Sequence, residues 1–282
     1  MTRSWDETVR IWDALSGTPL HKFAHPESFT LGITAFAVGD QGSAIVSAMK
    51  SGEVFVWDAA SGERKWVLSH KAYVNDVAIA HGGRFMTTAS DDRIAAVWDL
   101  QTGEQRLRLE HDDEVWSLAM AADARTLVTG SKDGSVRFFD IASGRELRRV
   151  RLDGGVTSLA FHPPSNALAV GIRLSEHEQA WADVAIVDFK TRLPVSTFSH
   201  NGWFSDIAFS PDGRTLVTTT FNTKEIKLWD VASGTLRSVP EAKAQGVFFT
   251  PDGARLVTDP GRGEAFLLDA ATGHPIAPIG EP

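Results

Sequence analysis

The chain has 282 residues, 43% of them hydrophobic and 23% charged, with no cysteine and a formal net charge of −8 from 28 basic and 36 acidic side chains. The missing cysteines exclude disulfides, thiolate metal sites and a cysteine nucleophile. The acidic excess argues against nucleic acid, which binds through basic patches. No basic-then-apolar leader is visible and no run approaches the ~18 apolar residues of a membrane span. The expectation is a cytoplasmic chain with no membrane attachment.

Self-similarity governs the rest. An apolar residue followed by Asp closes seven segments: Trp12-Asp13, Trp57-Asp58, Trp98-Asp99, Phe139-Asp140, Val187-Asp188, Trp229-Asp230 and Leu268-Asp269, spaced by 45, 41, 41, 48, 42 and 39 residues. A short alternating run precedes each, from VRIWD and VFVWD to IKLWD and AFLLD. Period two with β-branched and aromatic residues predicts a strand. Six of the seven are followed by a turn with Gly, such as AASGER or VASGTL, and the fifth has FKTRLP instead. Within a full period more strands are predicted, as in FSDIAFS and RTLVTTT, joined by PDG. Asp-Gly between alternating apolar runs is a hairpin signal, and four short strands per ~40 residues is the period of a propeller blade. RELRRVR, residues 145–151, is expected to be an exposed edge strand whose charges discourage edge pairing.

At these residues the chain resembles the WD-repeat β-propeller family, over essentially its whole length. The resemblance implies an all-β, seven-bladed propeller with six complete four-stranded blades plus the c and d strands of an incomplete first blade, 26 strands in one domain. The blades are expected at residues 1–25 (partial), 26–70, 71–111, 112–153, 154–200, 201–241 and 242–282. It also implies a buried hydrogen-bonded tetrad of His before strand a, Ser/Thr on strand b, Asp in the b–c turn and Trp on strand c. One blade matches throughout, with His70, Thr88, Asp92 and Trp98. The fourth has His111, Thr129, Asp133 and Phe139; the sixth His200, Thr219 and Trp229; the second His25, Ser47 and Trp57, with Ser51 where Asp is expected. In the first segment Thr2, Asp6 and Trp12 occupy tetrad positions. Its absent inner strands are expected to be supplied by upstream sequence in a longer seven-bladed parent; the alternatives are strand donation by another chain, including a second copy, and closure of six blades with the first hairpin displaced.

Catalysis finds no positive support. Four of the nine histidines recur once per repeat, as a structural residue does and a catalytic one does not. Glu176, His177 and Glu178 lie on one loop, which rarely fixes a ligand set alone, and no nucleophile-elbow, phosphate-loop or His-Glu-x-x-His motif occurs. No cofactor is expected. The aromatics outside the Trp-Asp slots suggest a binding face instead. In the family the d–a and b–c loops share one face, and Trp5, Tyr73, Trp116, Trp181 and Trp203 map there, with Asn75, Asp91, Glu114, Lys132 and Asn222 as polar neighbours. Tyr and Trp bring area and a polar handle to interfaces. The expected function is therefore non-catalytic binding of a protein or peptide, within a larger bacterial signalling or regulatory protein. The alternative is a propeller enzyme or periplasmic propeller with a site in the channel.

Overall fold

A computed structural model describes residues 2–3, 8–12, 19–25, 32–39, 43–80, 82–121, 125–162, 164–165, 167–174, 181–188, 194–201, 204–259 and 265–279. Every regular element among them is a strand. Seven antiparallel sheets follow one another along the chain. The first holds β1 (Thr2–Arg3), β2 (Thr8–Trp12) and β3 (Pro19–Ala24). The second holds β4 (Ile33–Val38), β5 (Ala44–Met49), β6 (Glu53–Asp58) and β7 (Arg64–Ser69); the third, β8 (Val74–Ile79), β9 (Phe85–Ser90), β10 (Ile94–Asp99) and β11 (Gln105–Glu110). The fourth holds β12 (Val115–Met120), β13 (Thr126–Ser131), β14 (Ser135–Asp140) and β15 (Glu146–Arg151). The fifth holds β16 (Gly155–His162), β17 (Ala167–Arg173), β18 (Trp181–Asp188) and β19 (Pro194–Asn201). The sixth holds β20 (Phe204–Phe209), β21 (Thr215–Thr220), β22 (Ile226–Asp230) and β23 (Leu236–Ser238); the seventh, β24 (Gly246–Phe249), β25 (Arg255–Asp259), β26 (Ala265–Asp269) and β27 (Pro275–Ile279).

The first sheet has three strands where two are expected, because Thr2 and Arg3 continue the ladder opposite Arg10 and Val9. Thr2 faces Arg10 as Thr88 faces Ala96, so the backbone keeps the register of the tetrad hydroxyl even in this short strand. The described strands number 27.

The chain divides into two compact units, Met1–Arg151 and Leu152–Pro282. In the first, the leading strands β4, β8 and β12 lie side by side; in the second, β16, β20 and β24 do. Apolar clusters fill the space between successive sheets. One joins Val46, Val56 and Leu68 to Val77, Met86 and Trp98; another joins Val97 and Leu109 to Leu118, Leu127 and Phe139. The middle strands are buried on both faces, so β10 carries Ile94, Ala95, Ala96 and Val97 without a polar break.

In the second, third, fourth, sixth and seventh sheets the Asp that ends the third strand closes the following turn. Asp140 Oδ1 accepts the Ser143 N–H at 2.8 Å and its hydroxyl at 2.6 Å; Asp230 and Ser233 repeat this at 2.9 Å, and Asp269 and Thr272 at 2.8 Å. These bonds hold all three carboxyls below the ordinary carboxylate range. The Gly that follows has positive φ, and in the third and fourth sheets it faces the last strand of the preceding sheet. A Cβ on Gly103 (φ 73°) would lie 2.7 Å from the Trp66 ring, and one on Gly144 3.0 Å from Leu107. Trp66 is fixed in turn by its indole N–H, which donates to the Leu100 carbonyl at 3.1 Å. Gly103→Ala is expected to cost about 2 kcal/mol or more in denaturant unfolding, from left-handed strain plus overpacking.

A register shift recurs in all seven third-to-fourth strand pairings, immediately before the Trp slot: Ile11/Trp12, Val56/Trp57, Val97/Trp98, Phe138/Phe139, Ile186/Val187, Leu228/Trp229 and Leu267/Leu268. A second set falls in the first strands β4, β8, β12, β16 and β20, leaving Thr34, Asn75, Trp116, Thr157 and Ser205 as the extra residues. Such bulges re-aim a side chain while pairing continues on both sides.

Candidate partner-binding face

The third sheet forms the tetrad. Trp98 donates its indole N–H to Thr88 Oγ1 at 3.0 Å, His70 Nε2 meets the same oxygen at 2.7 Å, and His70 Nδ1 meets Asp92 Oδ2 at 3.0 Å. Asp92 also accepts the Lys71 and Ile94 N–H groups at 3.0 and 3.1 Å. Burial opposes ionisation of Asp92, but the bonds from His70 and Lys71 outweigh it and hold the carboxyl at about 2. With Nδ1–H donating to this carboxylate and Nε2 accepting the Thr88 hydroxyl, the polar side-chain atoms of all four residues have partners.

Two departures from the sequence expectation, in the sixth and fourth sheets, follow from local geometry, and the second sheet keeps its expected shortened chain. In the sixth sheet Trp229 donates to Thr218 Oγ1 at 2.9 Å, not to Thr219. Neighbouring strand residues point to opposite faces, and Thr219 instead meets Ser205 and the Gln245 carbonyl, both at 2.9 Å; the His200 side chain lies outside the described residues. In the fourth sheet His111 Nε2 meets Thr129 Oγ1 at 2.8 Å, but Nδ1 donates to the Leu109 carbonyl at 3.0 Å, not to Asp133. The Arg137 guanidinium, 2% exposed, stands 3.7 Å from Asp133 and binds Asp112 at 2.5 Å. In the second sheet His25 and Trp57 meet Ser47 Oγ at 2.7 and 3.0 Å, while the Ser51 hydroxyl is buried without a hydrogen-bond partner among the described residues.

Burial, and then the Arg137 charge, hold His111 at about 4, below its ordinary 6.5. The unfolded chain takes up this proton below the ordinary value and the folded one only near 4, so acidification favours unfolding across that window. Between pH 7 and pH 5 the protein is expected to lose about 2 kcal/mol through this group. Denaturant midpoints at the two pH values check it, with His111→Gln expected to flatten the difference.

The candidate face is assembled at one end of the third and fourth sheets. Asn75, the bulge residue of β8, donates to Asp91 Oδ1 at 2.7 Å and to the Val115 carbonyl of the next sheet at 2.9 Å. Trp116, the bulge residue of β12, donates its indole N–H to Glu114 Oε2 at 3.0 Å. Lys132 binds Glu114 Oε1 at 3.1 Å and lies 6.0 Å from the Trp116 ring centre, while Lys50 lies 5.7 Å from that of Tyr73. Burial raises the Asp91 carboxyl above its ordinary value, opposed by the Asn75 bond and reinforced by the Glu114 charge. Thus Tyr73, Asn75, Asp91, Glu114, Trp116 and Lys132 are brought together. Asn222 is exposed on the β21–β22 turn of the second unit, beside Phe221 at 57% exposure, an aromatic that the sequence reading passed over. Trp5 and Trp203 lie outside the described residues. Trp181 begins β18, but its side chain lies outside them.

Sequence reasoning also missed two aspartates that link sheets. Asp76 Oδ2 accepts the Leu118 N–H at 2.9 Å and Asp206 Oδ2 the Val247 N–H at 3.0 Å, each reaching the first strand of the next sheet. Their shared position, two residues into β8 and β20, is the signal that could have found them. Among the described residues no group of three or more His, Asp or Glu is placed to hold a metal ion. Glu176, His177 and Glu178 lie outside them.

Repeated four-stranded sheets, leading strands set side by side within each unit and a Trp-hydroxyl-His-Asp chain define a WD-repeat-like β-propeller. A family model described as "Outer membrane protein assembly factor BamB" matches residues 5–236, and the chain belongs to that propeller family. It is similar to WD repeat-containing protein 36 of Homo sapiens, 43% identical over 54 residues, 19% of this chain and 6% of the human protein. It is also similar to the uncharacterized WD repeat-containing protein sll1491 of Synechocystis sp., 37% identical over 62 residues, 21% of this chain and 18% of that protein. The matched stretches are thus a small part of both relatives.

Proposed function

We propose that the chain is a non-catalytic scaffold that binds a protein or peptide through the face built by Tyr73, Asn75, Asp91, Glu114, Trp116 and Lys132. The carrying observation is the bulge in β12, which turns Trp116 out of the strand alternation and onto Glu114 beside Lys132. An indole with carboxylate and ammonium around it offers apolar area and charge-assisted hydrogen bonds in one place. The seven sheets are read as blades of a seven-bladed propeller whose first blade is short, in a bacterial signalling or regulatory protein of the cytoplasm. Affinity capture from the native host tests this reading. Trp116→Ala with Tyr73→Ala is expected to lose a captured partner while the melting temperature stays within a few degrees; capture undiminished by the double variant defeats it.

The family description favours a second reading, in which the chain serves outer membrane protein assembly and works outside the cytoplasm. Fractionation of the natural gene product, tagged at its C-terminus, separates the two: a soluble cytoplasmic product supports the first, an envelope product the second.

A further inference from the structure

A cleft of about 610 Å³ opens between the third and fourth sheets of the first unit, and neither Asn75 nor Trp116 lines it. Its floor is apolar: Phe85, Leu107 and Ile141 are partly buried against the cluster around Val97 and Phe139. Leu107 is itself held close to the next turn, where a Cβ on Gly144 would lie 3.0 Å from it. Its rim is cationic. Arg84, with a 61% exposed side chain, engages Asp99 through Nε at 3.5 Å; Arg106 is exposed and has no ion pair among the described residues; Arg125 is exposed and feels the Asp140 charge. Glu104 is the one acidic lining residue, on a chain whose net charge is −8. The cleft runs along the start of β11, the terminal strand of its sheet, whose far edge pairs with no described strand.

We propose that this cleft docks an extended acidic peptide segment, which seats an aliphatic or aromatic side chain on Leu107 and Phe85 and its flanking carboxylates on the arginines. Guanidinium forks suit carboxylates, the volume suits one or two side chains, and an open strand edge accepts an extended backbone. The cleft shares no residue with the face around Trp116.

Fluorescence anisotropy with a fluorescein-labelled Asp-Glu-Leu-Glu-Phe-Asp peptide tests the proposal on the full chain. Saturable binding that weakens as salt is raised is expected. Arg106→Glu, a change at an exposed unpaired side chain, is expected to weaken it about tenfold, and Arg84→Gln by a similar factor; melting curves confirm that both variants fold. Trp116→Ala is expected to leave it unchanged. No saturable binding, equal binding of a peptide with Lys in place of every acidic residue, equal binding with Ser in place of Leu and Phe, or indifference to Arg106→Glu would each overturn the proposal.

Discussion

Replacing Trp98 by alanine is expected to destabilise the protein by about 3–5 kcal/mol, the range for emptying a buried Trp site. The ring is 6% exposed and packs in the cluster between the second and third sheets, and its N–H donates to Thr88. Packing and hydrogen bonding are separable here, because the fourth sheet carries Phe139 at the same slot, 4% exposed. Trp98→Phe keeps most of the buried area and removes only the donor to Thr88, whose hydroxyl still meets His70. That variant is expected to cost about 1 kcal/mol, the net worth of one hydrogen bond. Urea unfolding of the two variants measures both. Equal costs would mean that the bond, not the ring volume, dominates the site.

Arg137→Ala is expected to cost about 3 kcal/mol, the scale for removing one partner from a buried ionic network. The guanidinium donates to Ser135 Oγ at 3.2 Å, to the Glu110 carbonyl at 3.3 Å and to Asp112, and stands 3.9 Å from Glu146. Asp112 is 67% exposed and will be rehydrated, but Asp133, at 11%, loses its cation. Arg149 still holds Asp112 and Glu146 in this variant. The third sheet has Ala96 at this position and there Asp92 bonds His70. The substitution therefore also frees Asp133 toward His111 and removes a charge that depresses the imidazole. Nuclear magnetic resonance titration is expected to show the His111 midpoint rising from about 4 in this variant. Unchanged stability together with an unmoved midpoint would mean that Arg137 does not organise the fourth sheet.

The fold is legible in the sequence wherever one residue type does one job per repeat. Trp-Asp at nearly constant spacing marks the third strands because the Trp fills an inter-sheet slot and the Asp closes the next turn. The tetrad of the third sheet is legible because all four residue types are present. Thr218 is missed for Thr219 because Thr218-Thr219-Thr220 carries no alternation to set the register. Arg137 carries no signal in the sequence, since its burial depends on Asp112, Glu110 and Glu146 from other segments. The aromatics and polar residues around Trp116 are found by their repeat position, but the bulges that aim Asn75 and Trp116 leave no trace in composition. The cleft lined by Arg84, Leu107 and Arg125 draws on five separated stretches of chain and has no local pattern at all.

Binding at the face around Trp116 is tested most directly by hydrogen–deuterium exchange of the full chain, with and without a partner captured from the native host. Slowed exchange confined to residues 70–75, 90–93, 114–117 and 131–134 is predicted. Protection elsewhere, with those four segments unchanged, would contradict it.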